Sequence, residues 1–246
     1  IILLILGIIE SRLHINAINK IPIRIHVNGT RGKSSVVRLI AAGLREGGLQ
    51  TFAKTTGTIP RIINEKGKDL ELHRLRSATI GEQIKLIRFF GKKSPDALVM
   101  ECMAVNPQYQ WISEHKIVKS TLGVITNVRR DHVDEMGNTI EDIAYSLSNT
   151  IPFNSKVLTS EKLSLKYLEN IANQRNSKII NSTDYNVDSD YMDKMPYLEH
   201  KENVNLALAV CEQVGIKRKK ALDGMLKTKP DPGALLIWNL ENNNKF

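Results

Sequence analysis

The sequence predicts an α/β fold, a mostly parallel sheet with helices on both faces. Two observations carry this reading. Short continuous apolar runs, of the kind that form strands buried on both sides, alternate with segments of helical spacing along most of the 246 residues. The first such run, Ile21–Val27, leads directly into Gly29-Thr30-Arg31-Gly32-Lys33-Ser34 and then into a helix-forming segment, Ser35–Ala42. Strand, glycine-bounded loop and helix in that order form the setting of a phosphate-binding loop, so the sheet is expected to be of the P-loop NTPase type.

The remaining elements follow in order. Strands are predicted at Leu49–Lys54, Asp96–Glu101, Thr121–Asn127, Lys156–Thr159 and Lys178–Asn181, each a short apolar run. Helical spacing covers Ile80–Phe90, Gln108–His115, Thr139–Thr150, Leu163–Asn173 and Glu199–Val214. Ile62–Leu72, with Glu-Lys-Gly-Lys at its centre, reads as a small surface hairpin, and the polar stretch Asn181–Asp193 as a loop. Pro230-Asp231-Pro232-Gly233 breaks the last helix, and Ala234–Leu240 begins a new apolar run. The chain therefore divides into a lead-in over 1–20, a central domain over 21–229, and the start of a truncated further domain over 230–246.

The lead-in opens with nine apolar residues, Ile1–Ile9. Nine fall short of the about 20 that span a bilayer. Two readings stay open, the remnant of an N-terminal membrane anchor or a buried first helix. Arg12, Lys20 and Arg24 follow the run and would hold the domain on the cytoplasmic side of a membrane. No small-residue cleavage site follows, which argues against a signal peptide.

Bulk composition narrows the partners. The net charge of +9, from 35 basic and 26 acidic residues, suits acidic ligands. Aromatic residues make up only 5% and no recognition motif appears, so nucleic acid is not an expected partner. Cys102 and Cys211 lie far apart without metal-type spacing, which fits a reducing compartment.

The loop supplies each group that phosphate chemistry requires. Its glycines let backbone N–H groups turn towards phosphate oxygens, and the helix N-terminus adds partial positive charge. Asn28, Gly29, Thr30, Arg31, Gly32, Lys33, Ser34 and Ser35 are thus the candidate ATP-binding residues, with Lys33 on the β/γ-phosphates and the Ser34 hydroxyl on Mg²⁺. The first glycine of the general four-spaced pattern would fall at Val27, so the loop is a shorter variant. Ligands in open parallel sheets bind beyond the carboxyl ends of the strands. Glu101 closes its strand, and Asp131-His132 follows Thr121–Asn127 within a few residues, so both belong on the loop's edge. Glu101 and His132 join Lys33 as candidate catalytic residues, and Ser34, Glu101 and His132 as candidate metal ligands. Thr55, Thr56 and Thr58 either line the cleft or form only a turn. Arg61, Arg74 and Arg76 read as solvated surface, Tyr109 and Trp111 as helix packing.

Several segments together carry a family likeness. They are Asn28–Ser34, Thr55-Thr56-Gly57-Thr58, Ile80-Gly81-Glu82-Gln83, Glu101-Cys102-Met103-Ala104-Val105-Asn106-Pro107, Asn127 with Asp131-His132 and Met136-Gly137, and Asp231-Pro232-Gly233-Ala234. The combination resembles the ligase subunits of poly-γ-glutamate (capsule) synthetases, within the superfamily of Mur ligases and folylpolyglutamate synthetases. The resemblance implies a Mur ligase central domain that uses ATP and Mg²⁺ to activate a carboxylate as an acyl phosphate, which the amine of glutamate then displaces. It further implies that Ser34 and Glu101 hold one Mg²⁺, that His132 holds a second, and that Asn203 contacts the nucleotide. Glutamate, the poly-γ-glutamate chain and membrane subunits of a synthase complex are the implied partners, at the cytoplasmic face of the membrane; homo-oligomerisation stays open. Competing readings are a folate or peptidoglycan-type ligase, and a nucleotide-binding subunit that gates polymer export. Three departures stand out: Leu147 and Ser148 where many relatives carry a carbamoylated lysine, Glu202-Asn203 in place of a His-Asn pair, and a chain that ends where relatives begin a C-terminal domain.

Overall fold

A computed structural model of the chain describes residues 1–57, 59–73 and 79–232. Thr58, Arg74, Arg76, Gly233, Ala234 and the apolar run that follows lie outside the described residues. Helix α1 (Ile2–Asn19) leads into strand β1 (Ile23–Asn28), the phosphate loop and α2 (Lys33–Glu46). Then come β2 (Thr51–Thr55), β3 (Arg61–Ile63), β4 (Asp69–Glu71), α3 (Gly81–Gly91) and β5 (Ala97–Glu101). The middle of the chain forms α4 (Pro107–Ile112), β6 (Leu122–Ile125), α5 (Val133–Met136), α6 (Ile140–Ser148) and β7 (Lys156–Thr159). It closes with α7 (Leu165–Gln174), β8 (Lys178–Asn181), α8 (Ser189–Met192), α9 (Lys201–Gln213) and α10 (Arg218–Met225).

The eight strands form one sheet in the order β4-β3-β2-β5-β1-β6-β7-β8. In this order the neighbours from β2 to β8 pair in parallel, whereas β3 pairs antiparallel with both β2 and β4. The hairpin is therefore part of the sheet through β2, beyond the surface role expected of it. β1 lies between β5 and β6, with Val27 level with Glu101 and Asn28 with Ile125, so three strands end side by side.

Alternation along the strands explains how both faces are covered. Ala97 and Val99 of β5 pack into a core with α2, α9 and α10, whereas Leu98 and Met100 face α1 and α3 on the other side. A third cluster joins Ile125 and Val157 to α6 and α7. α6 starts on a reciprocal capping box between Thr139 and Asp142.

Three expectations need correction. The polar stretch after β8 is more ordered than a loop, because Asp188 caps the short α8 and Val187 is buried. The helix begun by α4 continues as a π-turn over Ser113–Val118, which turns Glu114 into the interior. The N-terminal apolar run is not confined to nine residues. α1 has 18 residues with a hydropathy of 1.4, long and apolar enough by length and composition to cross a membrane. It is not a buried first helix either: only His14, Ala17 and Ile18 are buried, and Leu3 is 84% exposed. Its last turns are fixed to the domain, since Arg88 bonds Glu10, His14 bonds the Ile117 carbonyl, and Gly91 leaves no room for a side chain against Ala17.

Beneath the sheet's centre, His26 of β1 is fully buried with Nδ1 2.8 Å from a Glu114 carboxylate oxygen. The other oxygen of Glu114 accepts from the amide and hydroxyl of Ser120. Burial opposes the imidazolium charge, but the neighbouring Cys102 and Glu114 side chains outweigh it and raise the His26 pKa to about 10. The charged pair thus stabilises the fold fully below about pH 6.5, the ordinary histidine value, and the contribution is lost as pH rises towards 10. Urea unfolding should show stability falling through that window, with a visibly flatter pH dependence in His26→Gln.

Candidate active site

The phosphate loop is strapped to the end of β6. Thr30 donates from its amide to the Asn127 carbonyl at 3.1 Å and from its hydroxyl to the Asn127 side chain at 2.7 Å. The Arg31 amide donates to Asn127 Oδ1 at 3.2 Å, and the Arg31 carbonyl accepts from Thr126 and Asn127. Two glycines are obligatory. Gly29, at φ +131°, would place a Cβ 2.0 Å from Thr126 Oγ1, and Gly32, at φ +80°, forms the left-handed entry into α2.

Lys33 folds back over the loop, its ammonium donating to the carbonyls of Gly29 at 2.7 Å and Thr30 at 3.2 Å. Ser34 donates its hydroxyl to Glu101 Oε2 at 2.8 Å. The same oxygen accepts the Thr56 amide at 2.7 Å, so Glu101, only 3% exposed, ties α2, β5 and the turn after β2. Thr56 therefore meets the site through its backbone, while Thr55 is buried inside the sheet. A Cβ on Gly57 would come within 3.0 Å of both Ser34 Oγ and Asp231, so Gly57 keeps this corner open. Arg38 of α2, itself buried, holds Asp69 at 2.8 Å and Asp231 at 3.7 Å.

Asn203, near the start of α9, packs its side-chain oxygen against Gly32 and donates to Glu199 at 2.8 Å. α9 thereby brings a polar amide to the loop's outer side. A cavity of about 230 Å³ opens beside it at the ends of β7 and β8, lined among others by Ser160, Lys162, Lys201, Glu202 and Asn205. A second cavity, of about 710 Å³, lies beyond β5 between Met103–Asn106, Ile80, Tyr109 and Glu135. Tyr109 is half-exposed on its rim, so it is more than helix packing; Trp111 does pack, on His115.

The sequence-predicted residues thus fall into three groups. Gly29, Thr30, Arg31, Gly32, Lys33, Ser34, Glu101 and Asn203 converge on one edge. His132 caps α5 in a left-handed conformation, half-exposed; its neighbour Asp131 pairs with Arg31 at 3.2 Å, which places the segment against the loop. The side chain of Asn28 is instead committed below the loop, donating to Gln110 at 2.7 Å and Thr150 at 3.2 Å. Asn28 seats the strand end and does not present its amide to a ligand.

Among the described residues no cluster of three His, Cys, Asp or Glu side chains is placed to hold a metal. Ser34 and Glu101 nevertheless make a two-oxygen set, which suits a cation such as Mg²⁺ that keeps much of its water.

Glu161 is a residue the sequence reading passed over. Almost fully buried after β7, it accepts the amides of Val128 and Ser164 and the guanidinium of Arg129. Burial alone would raise its pKa; the amides and Arg129 bring it below the usual carboxylate value. The segment that carries Asp131 and His132 is thereby anchored at its root. A glutamate followed by Lys-Leu-Ser gives no sequence signal of this.

A phosphate loop at the carboxyl edge of a parallel sheet, backed by a buried glutamate and a serine, is the arrangement on which nucleotide-binding α/β domains are built. The Mur ligase middle domain family matches residues 27–220, and the chain belongs to that family. It is 39% identical over 246 residues to the capsule biosynthesis protein CapB of Bacillus anthracis, covering 99% of this chain and 53% of that protein. Against the PGA synthase CapB of Bacillus subtilis (strain 168) the identity is 37% over 242 residues, covering 97% and 61%. The chain therefore spans between half and two thirds of the length of these relatives. In fold it is similar to the ADP complex of E. coli FolC without folate substrate, with a TM-score of 0.74 at 16% identity, covering 96% of this chain and 65% of that one. A bifunctional folylpolyglutamate synthase/dihydrofolate synthase with Mn, AMPPNP and L-glutamate bound gives 0.70 at 16%, covering 94% and 64%.

The loop geometry makes a graded prediction. Gly29→Ala combines strain at positive φ with a collision against Thr126, and should cost at least about 2 kcal/mol. Gly48→Ala has positive φ but open space, and should cost about 1 kcal/mol. Chemical unfolding of the two variants gives the comparison.

Proposed function

We propose that the protein is an ATP-dependent amide ligase of poly-γ-glutamate biosynthesis. The convergence of Lys33, Ser34 and Glu101 at one sheet edge carries the reaction type, and the two capsule-related proteins at 37–39% identity carry the substrate class. The ADP, AMPPNP and Mn bound in the fold relatives favour ATP and a divalent cation as ligands.

In this reading the loop amides hold the triphosphate, and Lys33 swings from the Gly29 and Thr30 carbonyls to the γ-phosphate. Ser34 and Glu101 would hold the divalent cation, Mg²⁺ in the cell, which offsets charge on the transferring phosphoryl group. Asn203 lies against the nucleotide, and His132 would hold a second divalent cation, its neighbour Asp131 held by Arg31. A substrate carboxylate oxygen attacks the γ-phosphorus and ADP leaves. The amine of glutamate then attacks the acyl carbon, phosphate departs with the C–O bond electrons, and the amine's proton is lost to solvent. The protein contributes mainly position and preorganised charge. The cavity beyond β5, whose wall includes Met103 two residues after Glu101, is the space for the carboxylate substrate.

The central domain over 21–229 is the nucleotide-binding unit, and α1 is a membrane anchor. ATP is cytosolic, and Arg12 late in α1 with Lys20 and Arg24 after it follow the apolar run, so the domain stands at the cytoplasmic face beside membrane partners of a synthase complex.

Lys33→Ala should abolish both nucleotide binding and turnover. Glu101→Gln should weaken ADP binding by less than about tenfold while lowering kcat by at least about a hundredfold, because the cation acts mainly on the transferring group. Glutamate-dependent phosphate release coupled to amide formation, measured on the whole protein, is the assay. ATP hydrolysis without any new amide would show an export-gating subunit instead.

A further inference from the structure

Between the β3–β4 hairpin, the middle of α2 and the end of α10 lies a cavity of about 430 Å³ that the reaction above leaves unused. Its wall is cationic. Arg38 and Arg45 line it from α2, Lys66 and Lys68 from the hairpin turn, and Lys227 and Lys229 from the segment after α10. Three carboxylates share the wall, and two of them are engaged, Asp69 with Arg38 at 2.8 Å and Glu46 with Lys227 at 2.5 Å. Arg45, Lys66, Lys68 and Lys229 form no salt bridge among the described residues.

The buried side of the cavity carries donors that lack acceptors. Arg38 is 2% exposed, yet its Nη2 reaches no hydrogen-bond partner, and the hydroxyl of Thr228, 6% exposed, has none either among the described residues. Arg45 makes one long bond, to the Thr51 carbonyl at 3.4 Å. Burial brings its pKa down to about 10, and nearby Asp69 offsets only part of that. Buried donors left unpaired cost stability, so they mark a place where an oxyanion would be welcome. The rim is fixed as well: Asn64 Oδ1 accepts the amides of Lys66 at 3.0 Å and Lys68 at 2.8 Å.

A single small anion would need the cations gathered about one point, whereas here they stand on three separate segments around the opening. That spacing suits a chain with several carboxylates. The cavity also adjoins the cation corner. Arg38 lies one turn along α2 from Ser34, and its ion-pair partner Asp231 borders Gly57 beside Ser34. We propose that this cavity binds the acidic γ-linked glutamate chain. Arg38, Arg45 and Thr228 hold one carboxylate at depth, and the rim lysines meet those of neighbouring residues. The polymer's identity rests on the proposed ligase reading; the site adds a grip on the chain apart from the reacting groups. A chain held there stays near the reacting corner between additions, at a raised effective concentration.

Fluorescence anisotropy of a labelled γ-linked glutamate oligomer with the intact protein, without ATP, tests this. Arg45→Gln should weaken binding by about tenfold, the loss of one charge-assisted bond. Lys68→Gln with Lys229→Gln, both at exposed positions, should weaken it by about fivefold. ADP affinity should not change in either variant, and circular dichroism melting checks that Arg45→Gln is folded. Lys156→Gln with Lys178→Gln removes two charges five strands away across the sheet, well beyond the screening length, and should leave binding unchanged. Equal weakening by that distant pair shows diffuse attraction to a basic protein and overturns the site. So does oligomer binding that survives both cavity variants, or binding of inorganic phosphate without the oligomer. Amide formation by a protein that does not bind the oligomer overturns the site and leaves the ligase; oligomer binding at the cavity without amide formation does the reverse.

Discussion

The arrangement at the phosphate-loop edge depends on the carboxylate of Glu101 standing at the end of a buried strand. A charge in that position is tolerable only if polar hydrogens surround it, and the Ser34 hydroxyl and Thr56 amide supply them on a single oxygen. Those bonds reach across β2, β5 and α2, three elements far apart in the chain. The parallel register of β1 against β5 and β6 makes this possible, because strands aligned in one direction bring their last residues level. Asn127 then clasps the loop from the β6 side. The loop's shape is thus imposed by neighbours as much as by its own glycines.

The sequence showed most of this arrangement. Apolar runs ended in a glycine, a glutamate or an asparagine at consistent places, and strand ends in a parallel sheet share an edge. Lys156–Thr159 and Lys178–Asn181 were legible to the residue, because β-branched and apolar residues are bounded there by polar turns. Long-range pairings were not legible. Nothing in Asn28 distinguishes a ligand-facing amide from one bonded to Gln110, which is 82 positions away. Glu161 and Arg38 likewise take their meaning from partners that only the fold delivers. The length of α1 was misjudged because polar residues after Ile9 were read as the end of the apolar segment, whereas a helix spreads them around its circumference.

The interior beneath the site contains more charge than a simple hydrophobic core. Lys54 of β2 is wholly buried with Glu82 at 3.4 Å, and His26 of β1 is paired with Glu114 of the π-turn after α4. Buried pairs add little net stability relative to well-packed apolar groups, but losing one partner is costly. They therefore constrain which helix packs where. The π-turn that brings Glu114 inward belongs to this constraint, since a regular helix would rotate the side chain away.

The connection between α1 and β1 is only three residues long, and Ile21 within it is fully buried. With Arg88 gripping Glu10 and Gly91 pressed on Ala17, no swivel separates the helix from the sheet. Helix and domain tilt as one rigid lever. Any change in the angle of α1 is transmitted across the length of β1 to the phosphate loop, so whatever holds the helix also aims the loop.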